Sequence, residues 1–284
     1  MTFLIATQTY GASSNNTDNT DQTKFGIRAD QTELVNKLYK AEIPEKEEDG
    51  TIKTLNKMGF MNQILDPFSQ DFIDFSAKAN GPVLDGGAAY GIATIEALKK
   101  GATVIANDLD SGHLYWIAKN PTLKASDLKR LYLNQSKIPD DLKLPKESLN
   151  AILLSRVIHF FTPVELRACL EQAKGLLKPG GRLYITTMTP YHYALKGFDL
   201  TYETRKKSGD EWPGIITTMT KDYIPKNKGK IPEFLHVMDP EVLIRELSRA
   251  GFVVKKMELF GFHRNKDVTS DNGRGYIGII AEKI

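Results

Sequence analysis

The stretch PVLDGGAAYGIAT, residues 82–94, carries the decision about the fold. A short apolar run ends on Asp85, small residues follow, and a helical pattern begins near Tyr90. Several nucleotide-binding folds open with this strand–loop–helix sequence. Downstream the rhythm repeats. TVIAND (103–108), LYLN (131–134), NAILLS (150–155) and RLYITT (182–187) read as strands, like PVLD (82–85), with helical patterns between them. Strands this short and apolar on both faces predict a parallel sheet covered on both sides.

The flanks fit that reading. Thr162-Pro163-Val164-Glu165 has the spacing of a capping box with proline at the first helical position, so a helix starts there. Asp239-Pro240 opens another over EVLIRELSRAG, which stops at Gly251. FVVKKMELF (252–260) and GYIGIIAEK (275–283) follow with no helix between them, which predicts an antiparallel pair. The expected fold class is α/β: a Rossmann-like doubly wound sheet, mostly parallel, with an antiparallel last strand and helices on both faces.

Upstream, residues 11–24 are rich in Asn, Thr, Ser and Asp, so residues 1–25 are expected to form a mobile tail. Residues 26–80 are expected to be a helical segment over the ligand site. A first helix would begin near Asp30, with Asp30 and Glu33 in capping-box spacing, and a second, across 61–81, would be broken at Pro67. EIPEKEEDG reads as a solvated linker. Residues 81–284 form the main domain, and within it 190–238 is too long for a tight connection. It is rich in Tyr, Trp, Lys and Pro, as an inserted lid or substrate segment would be.

Composition bounds the function. A net charge of +3 among 284 residues falls short of a nucleic-acid binder and leaves acidic ligands open. No run approaches membrane-spanning length, which predicts no membrane partner. The single cysteine, Cys169, excludes an internal disulfide framework and reads as a small buried helix residue. With no basic, apolar leader at the N-terminus, a cytoplasmic protein is expected. The five histidines show no paired ligand spacing, so no metal is expected.

Two ligands compete for the glycine loop. Gly86-x-Ala88-x-x-Gly91, with Asp108 about 20 residues on, nearly matches the dinucleotide fingerprint. Its middle position needs glycine so that the backbone can approach a pyrophosphate, and Ala88 places a Cβ there. Asp85 also aims a carboxylate at the site, which suits a cationic ligand. The motif Asp85-x-Gly87-x-Ala89-x-Gly91, the acid in VIANDLD and LLKPGG before a strand resemble the class I S-adenosylmethionine-dependent methyltransferases. The likeness is good over 60–190 and holds in outline over 235–284. It departs from the family pattern in having Ala89 where a glycine is usual, and in lacking an acid after the third strand.

What the resemblance implies is S-adenosyl-L-methionine as cofactor. Gly86, Gly87, Ala88, Ala89 and Gly91 would form the loop beside its methionine end, and Asp85 would orient the ammonium. Asp108 would accept from both ribose hydroxyls, and Leu109 would pack on adenine. With Asn134-Gln135-Ser136-Lys137 replacing the usual acid, the adenine contact passes to Ser136 or a backbone group. Ser155 and Arg156 would lie by the methyl region. Phe68 would close over the pocket or simply fill the core.

The chemistry is less legible. SRVIHFF lacks the motif that marks base or glutamine methylation in this superfamily. His159, Tyr191 and His192 follow strands at the carboxyl edge and are the catalytic candidates, each with structural packing as its bland alternative. KNKGK (226–230) is diluted by nearby acids and argues against a nucleic-acid track. The expected function is methyl transfer to a small-molecule acceptor. A protein or peptide acceptor, an inert S-adenosylmethionine-binding protein and a dinucleotide oxidoreductase stay as alternatives.

Overall fold

The computed structural model describes residues 23–48, 50–261 and 272–284. Residues 1–22 of the expected tail and most of the loop joining the last two strands lie outside them. The chain opens with β1 (Ile27–Arg28), α1 (Thr32–Val35), β2 (Ile52–Lys53), β3 (Phe60–Met61) and α2 (Pro67–Ser76). The alternating part runs β4 (Val83–Gly86), α3 (Ile92–Lys99), β5 (Val104–Asp108), α4 (Ser111–Ala118), α5 (Ala125–Leu128), β6 (Leu131–Gln135), β7 (Leu149–Ser155), α6 (Pro163–Leu176) and β8 (Leu177–Met188). α7 (Phe198–Lys207), β9 (Ile215–Ile216), α8 (Met219–Asp222) and β10 (Leu235–His236) make up the insertion. α9 (Pro240–Arg249), β11 (Phe252–Phe260) and β12 (Tyr276–Lys283) close the described chain.

Eight of these strands form one sheet in the order β1-β6-β5-β4-β7-β8-β12-β11. The five from β6 to β8 are mutually parallel. β12 runs antiparallel to β8 and to β11, so the expected antiparallel ending is present. A second antiparallel edge was not expected: β1 pairs with β6, Ile27 opposite Leu133. Strand order reverses between β4 and β7, the switch point where such sheets hold ligands.

Helices cover both faces because every parallel strand is apolar on both sides. α2, α3 and α4 pack one face through Phe68, Phe72, Ala97, Leu98, Leu114 and Ile117. α6 and α9 pack the other through Leu166, Leu170, Leu243 and Leu247. Cys169 is buried there, its thiol pushed up to about 12 by burial, so it is an inert core residue.

The N-terminal segment departs from expectation. Asp30 pairs with Arg28 Nε at 2.6 Å instead of capping, and α1 is a single turn. Residues 50–61 turn back on themselves through the short antiparallel β2–β3 pair, and Lys46 bridges Ile52. Pro67 does not break a helix but begins one. Asp66 caps α2 by accepting from the Phe68 and Ser69 amides at 3.0 and 2.8 Å, a contact typically worth about 1 kcal/mol. The capping box at Thr162 and Glu165 is present as expected.

The insertion has its own small core of Leu195, Phe198, Tyr202, Ile216, Met219, Leu235 and Val237. It is fastened to the sheet's carboxyl edge, where His236 Nδ1 donates to the Phe161 carbonyl at 3.0 Å. Trp212 is held between the Arg167 and Arg245 guanidinium groups at 4.9 and 4.8 Å.

Candidate active site

A cavity of about 720 Å³ opens over the carboxyl ends of β4, β5 and β7. Its floor is the stretch quoted at the outset. β4 delivers Asp85, and the turn after it puts Gly87 and Ala89 at φ of +71 and +47. That conformation brings the Ala89 amide to Asp108 Oδ2 at 2.9 Å, tying the loop to the end of β5. A Cβ on Gly87 would lie 2.6 Å from Val157 Cγ2, so this glycine answers to the cavity's own wall as well as to any ligand.

Two buried carboxylates define the electrostatics. Asp85 is 3% exposed and accepts from Thr94 Oγ1 at 2.6 Å. Burial pushes it up to about 6, against the pull of Thr94 and with a smaller push from Asp108. Asp108, 2% exposed, accepts at Oδ1 from the Asp110 amide and from His113 Nδ1, both at 2.9 Å. Two acids in a cavity with one short of compensating donors fit a cationic ligand.

Of the residues read from sequence, Asp85, Gly87, Ala88, Ala89, Asp108, Leu109, Ser136, Ser155, Arg156, His159 and His192 all line this cavity. Leu109, just after β5, is 51% exposed where it lines the cavity. The Ser136 hydroxyl is engaged by Asn134 and Asn107 at 2.6 and 2.9 Å. Arg156 reaches Asp66 at 3.6 Å and lies over the Tyr276 ring.

Four expected residues do not line it. Phe68 is fully buried against Phe260 and the backbone of Gly278, so it is a core residue. Gly86 continues β4, and Gly91 begins α3 with φ +75, its missing Cβ facing Ile117. Tyr191 turns away and donates to Glu203 Oε1 at 2.8 Å, with burial and that carboxylate pushing its hydroxyl up to about 12.

The histidines are held for packing more than for proton transfer. His159 lies 3.3 Å from Thr187 Oγ1. Burial, with Arg156 and His192 adding to it, drives His159 down to about 3, too weak a base to take a proton at neutral pH. His192 Nδ1 accepts from the Ala194 amide at 3.1 Å, which leaves the proton on Nε2 facing Tyr276 Oη at 3.0 Å.

Sequence reasoning put the N-terminal segment over the site but named only Phe68 from it, and so missed its lining residues. Thr51, Asn56, Met58, Phe60, Asn62 and Asp66 line the cavity from the N-terminal segment, and Tyr276 lines it from β12. Extended segments without periodicity give no signal of what they cover. Tyr276 is brought in by pairing with Met188, a register that only the folded sheet reveals.

With this geometry in hand, the fold is that of S-adenosylmethionine-dependent methyltransferases. A solved methyltransferase from Methanosarcina mazei superposes with TM-score 0.57 at 18% identity, over 78% of this chain and 98% of that one. A 1,6-didemethyltoxoflavin-N1-methyltransferase from Burkholderia thailandensis gives 0.52 at 18%, over 76% of each chain. A glycopeptide N-methyltransferase solved with S-adenosyl-L-methionine gives 0.51 at 19%, over 76% and 86%. No curated protein matches by sequence. Residues 83–181 match the sequence family described as a methyltransferase domain. That segment thus matches a methyltransferase domain, within a fold shared with the S-adenosylmethionine-dependent methyltransferases. Among the described residues no helix is long and apolar enough to cross a membrane.

Proposed function

We propose that the protein transfers a methyl group from S-adenosyl-L-methionine to a small-molecule acceptor by in-line displacement. The observation that carries this reading is the continuity of one cavity. It runs from Asp85, Ala89 and Asp108 to a wall built largely by the insertion, where apolar Phe160, Met188, Met219, Ile224 and Leu235 stand with Lys226 and Lys230. Its volume of about 720 Å³ lies in the upper range for small-molecule sites and leaves room beside a nucleoside-sized ligand.

When bound, S-adenosylmethionine supplies a methyl group already activated on a sulfonium. In this reading the chain's part is to bind, orient and keep water out. Asp85 takes the ligand's ammonium, Asp108 its ribose, and Leu109 covers the adenine. The insertion's side of the cavity holds the acceptor in line, and such positioning accounts for on the order of 7–11 kcal/mol in favourable cases. His159, neutral and weakly basic, serves as a hydrogen-bonding wall, and an acceptor that arrives deprotonated needs nothing more. The insertion, residues 190–238, acts as the acceptor's lid, and residues 26–80 as the cofactor's cover.

The test is transfer of radiolabelled methyl from S-adenosylmethionine into a metabolite extract and, separately, into cell protein. Label in the low-mass fraction is the expected result. Label confined to protein would replace this reading with the peptide alternative. Tight S-adenosylhomocysteine binding with no transfer to either would leave an inert binding protein.

A further inference from the structure

Residues 50–61 line the Asp108 end of the cavity and are fastened by α4 and the glycine loop. Tyr90 Oη donates to the Lys53 carbonyl at 2.9 Å, while upstream of this segment Trp116 Nε1 donates to the Ala41 carbonyl at 2.7 Å. The innermost fastening is His113, fully buried and packed edge-on against Tyr90. Its Nε2 receives the Leu55 amide proton at 2.9 Å. Nε2 is therefore the bare nitrogen, the proton sits on Nδ1, and Nδ1 donates to Asp108 Oδ1 at 2.9 Å. One imidazole thus joins the overlying segment to the acid that ends β5.

The acceptor capacity of Asp108 gives this link a purpose. A carboxylate offers about four lone-pair sites. The Ala89 amide, the Asp110 amide and His113 Nδ1 take three of them, all at 2.9 Å. Asn56 Nδ2 stands over the same carboxylate at 3.5 Å, too far for a good hydrogen bond, while Asn56 Oδ1 is fixed by the Met58 amide at 3.1 Å. A vicinal diol brings two hydroxyls to a carboxylate with room for about one. The second needs another partner, and Asn56, which lines the cavity, presents an amide donor beside it.

We infer that Asn56 and Asp108 together form the subsite for the ribose diol of an adenosyl ligand, and that His113 is the positioning residue that holds Asn56 over it. This rests on the cofactor reading above. It revises the expectation that Asp108 alone receives both hydroxyls, because the chain's own donors already occupy most of that carboxylate.

The experiment measures two quantities in wild type, Asn56→Ala, His113→Asn and the double variant. One is S-adenosylhomocysteine affinity by calorimetry, and the other is hydrogen exchange of the Leu55 amide without ligand. Asparagine at 113 keeps a donor for Asp108 but cannot reach the Leu55 amide. Both single variants are expected to bind about tenfold more weakly, and the double variant no worse than Asn56→Ala alone, since His113 acts through Asn56. Leu55 exchange should accelerate at least tenfold in His113→Asn and stay slow in Asn56→Ala. Independent, multiplying losses would overturn the positioning role, as would unchanged affinity in Asn56→Ala, which leaves His113 in place should the histidine variant fail to fold. Wild-type protein that does not bind S-adenosylhomocysteine would overturn the cofactor reading and the ribose role together, and Leu55 exchange would still decide whether His113 fastens the segment.

Discussion

Asp85 is where burial and function pull in opposite directions. Its folded, ligand-free pKa of about 6 lies above the ordinary 3.8, so the folded chain holds this proton more tightly than the unfolded chain does. The contribution to stability is thus full below about pH 4 and is lost as pH rises through about 6, a change of about 3 kcal/mol for two pH units. A ligand ammonium reverses the preference by favouring the carboxylate. S-adenosylhomocysteine affinity should therefore be flat above about pH 6 and fall roughly tenfold per unit below it, with a proton released on binding. Calorimetry at about pH 5.5 in two buffers of different ionisation enthalpy reads that proton directly. Asp85→Asn should bind weakly at every pH and release none. A wild-type affinity that ignores pH between about 4.5 and 7 would place Asp85 away from the ammonium.

Among the elements, α2 shows how a helix and a glycine fix each other. Phe68 lies flat on β12 at Gly278, where a Cβ would fall inside the ring's own contact distance. Both the ring and the strand backbone are buried, so neither can yield cheaply. Gly278→Ala should cost about 1–3 kcal/mol, the usual range for overpacking, read as a lowered midpoint in urea with unchanged slope. Phe68→Leu in the same chain should recover part of the loss, because a smaller side chain leaves room for the methyl group. Additive losses would show that the two do not meet. The main-domain elements were legible from sequence because their signals are local: doubly apolar runs, Thr162 with Glu165, Asp239 before Pro240. The N-terminal segment was not, since 50–61 has neither period nor cap and is held by His113 and Tyr90. Tyr191 was misplaced for a related reason. Its position after a strand was readable, but its partner Glu203 was not.

For the molecule as a whole, the division of labour between sheet and insertion can be tested. The loop, Asp85 and Asp108 belong to the sheet's carboxyl edge, whereas Met219, Ile224 and Leu235 reach the cavity from a segment with a core of its own. Replacing residues 193–237 with a short linker should leave S-adenosylhomocysteine affinity within a few-fold and remove methyl transfer. Normal turnover in the shortened protein would show that the acceptor is held elsewhere. The cofactor half of this arrangement was readable because a glycine loop and two strand-end acids have fixed places in the fold. Of the acceptor half only the insertion was readable, from its length and composition; its lining side chains and Tyr276 were not, because they lie far apart in the chain. The sheet's far margin has a different significance. β11 is the outermost strand, its ladder with β12 slips between Val254 and Lys256, and Lys255 and Lys256 are exposed at that kink. An incoming strand from another copy would meet a ladder broken by this bulge and flanked by charged side chains, a poor template for edge-to-edge pairing.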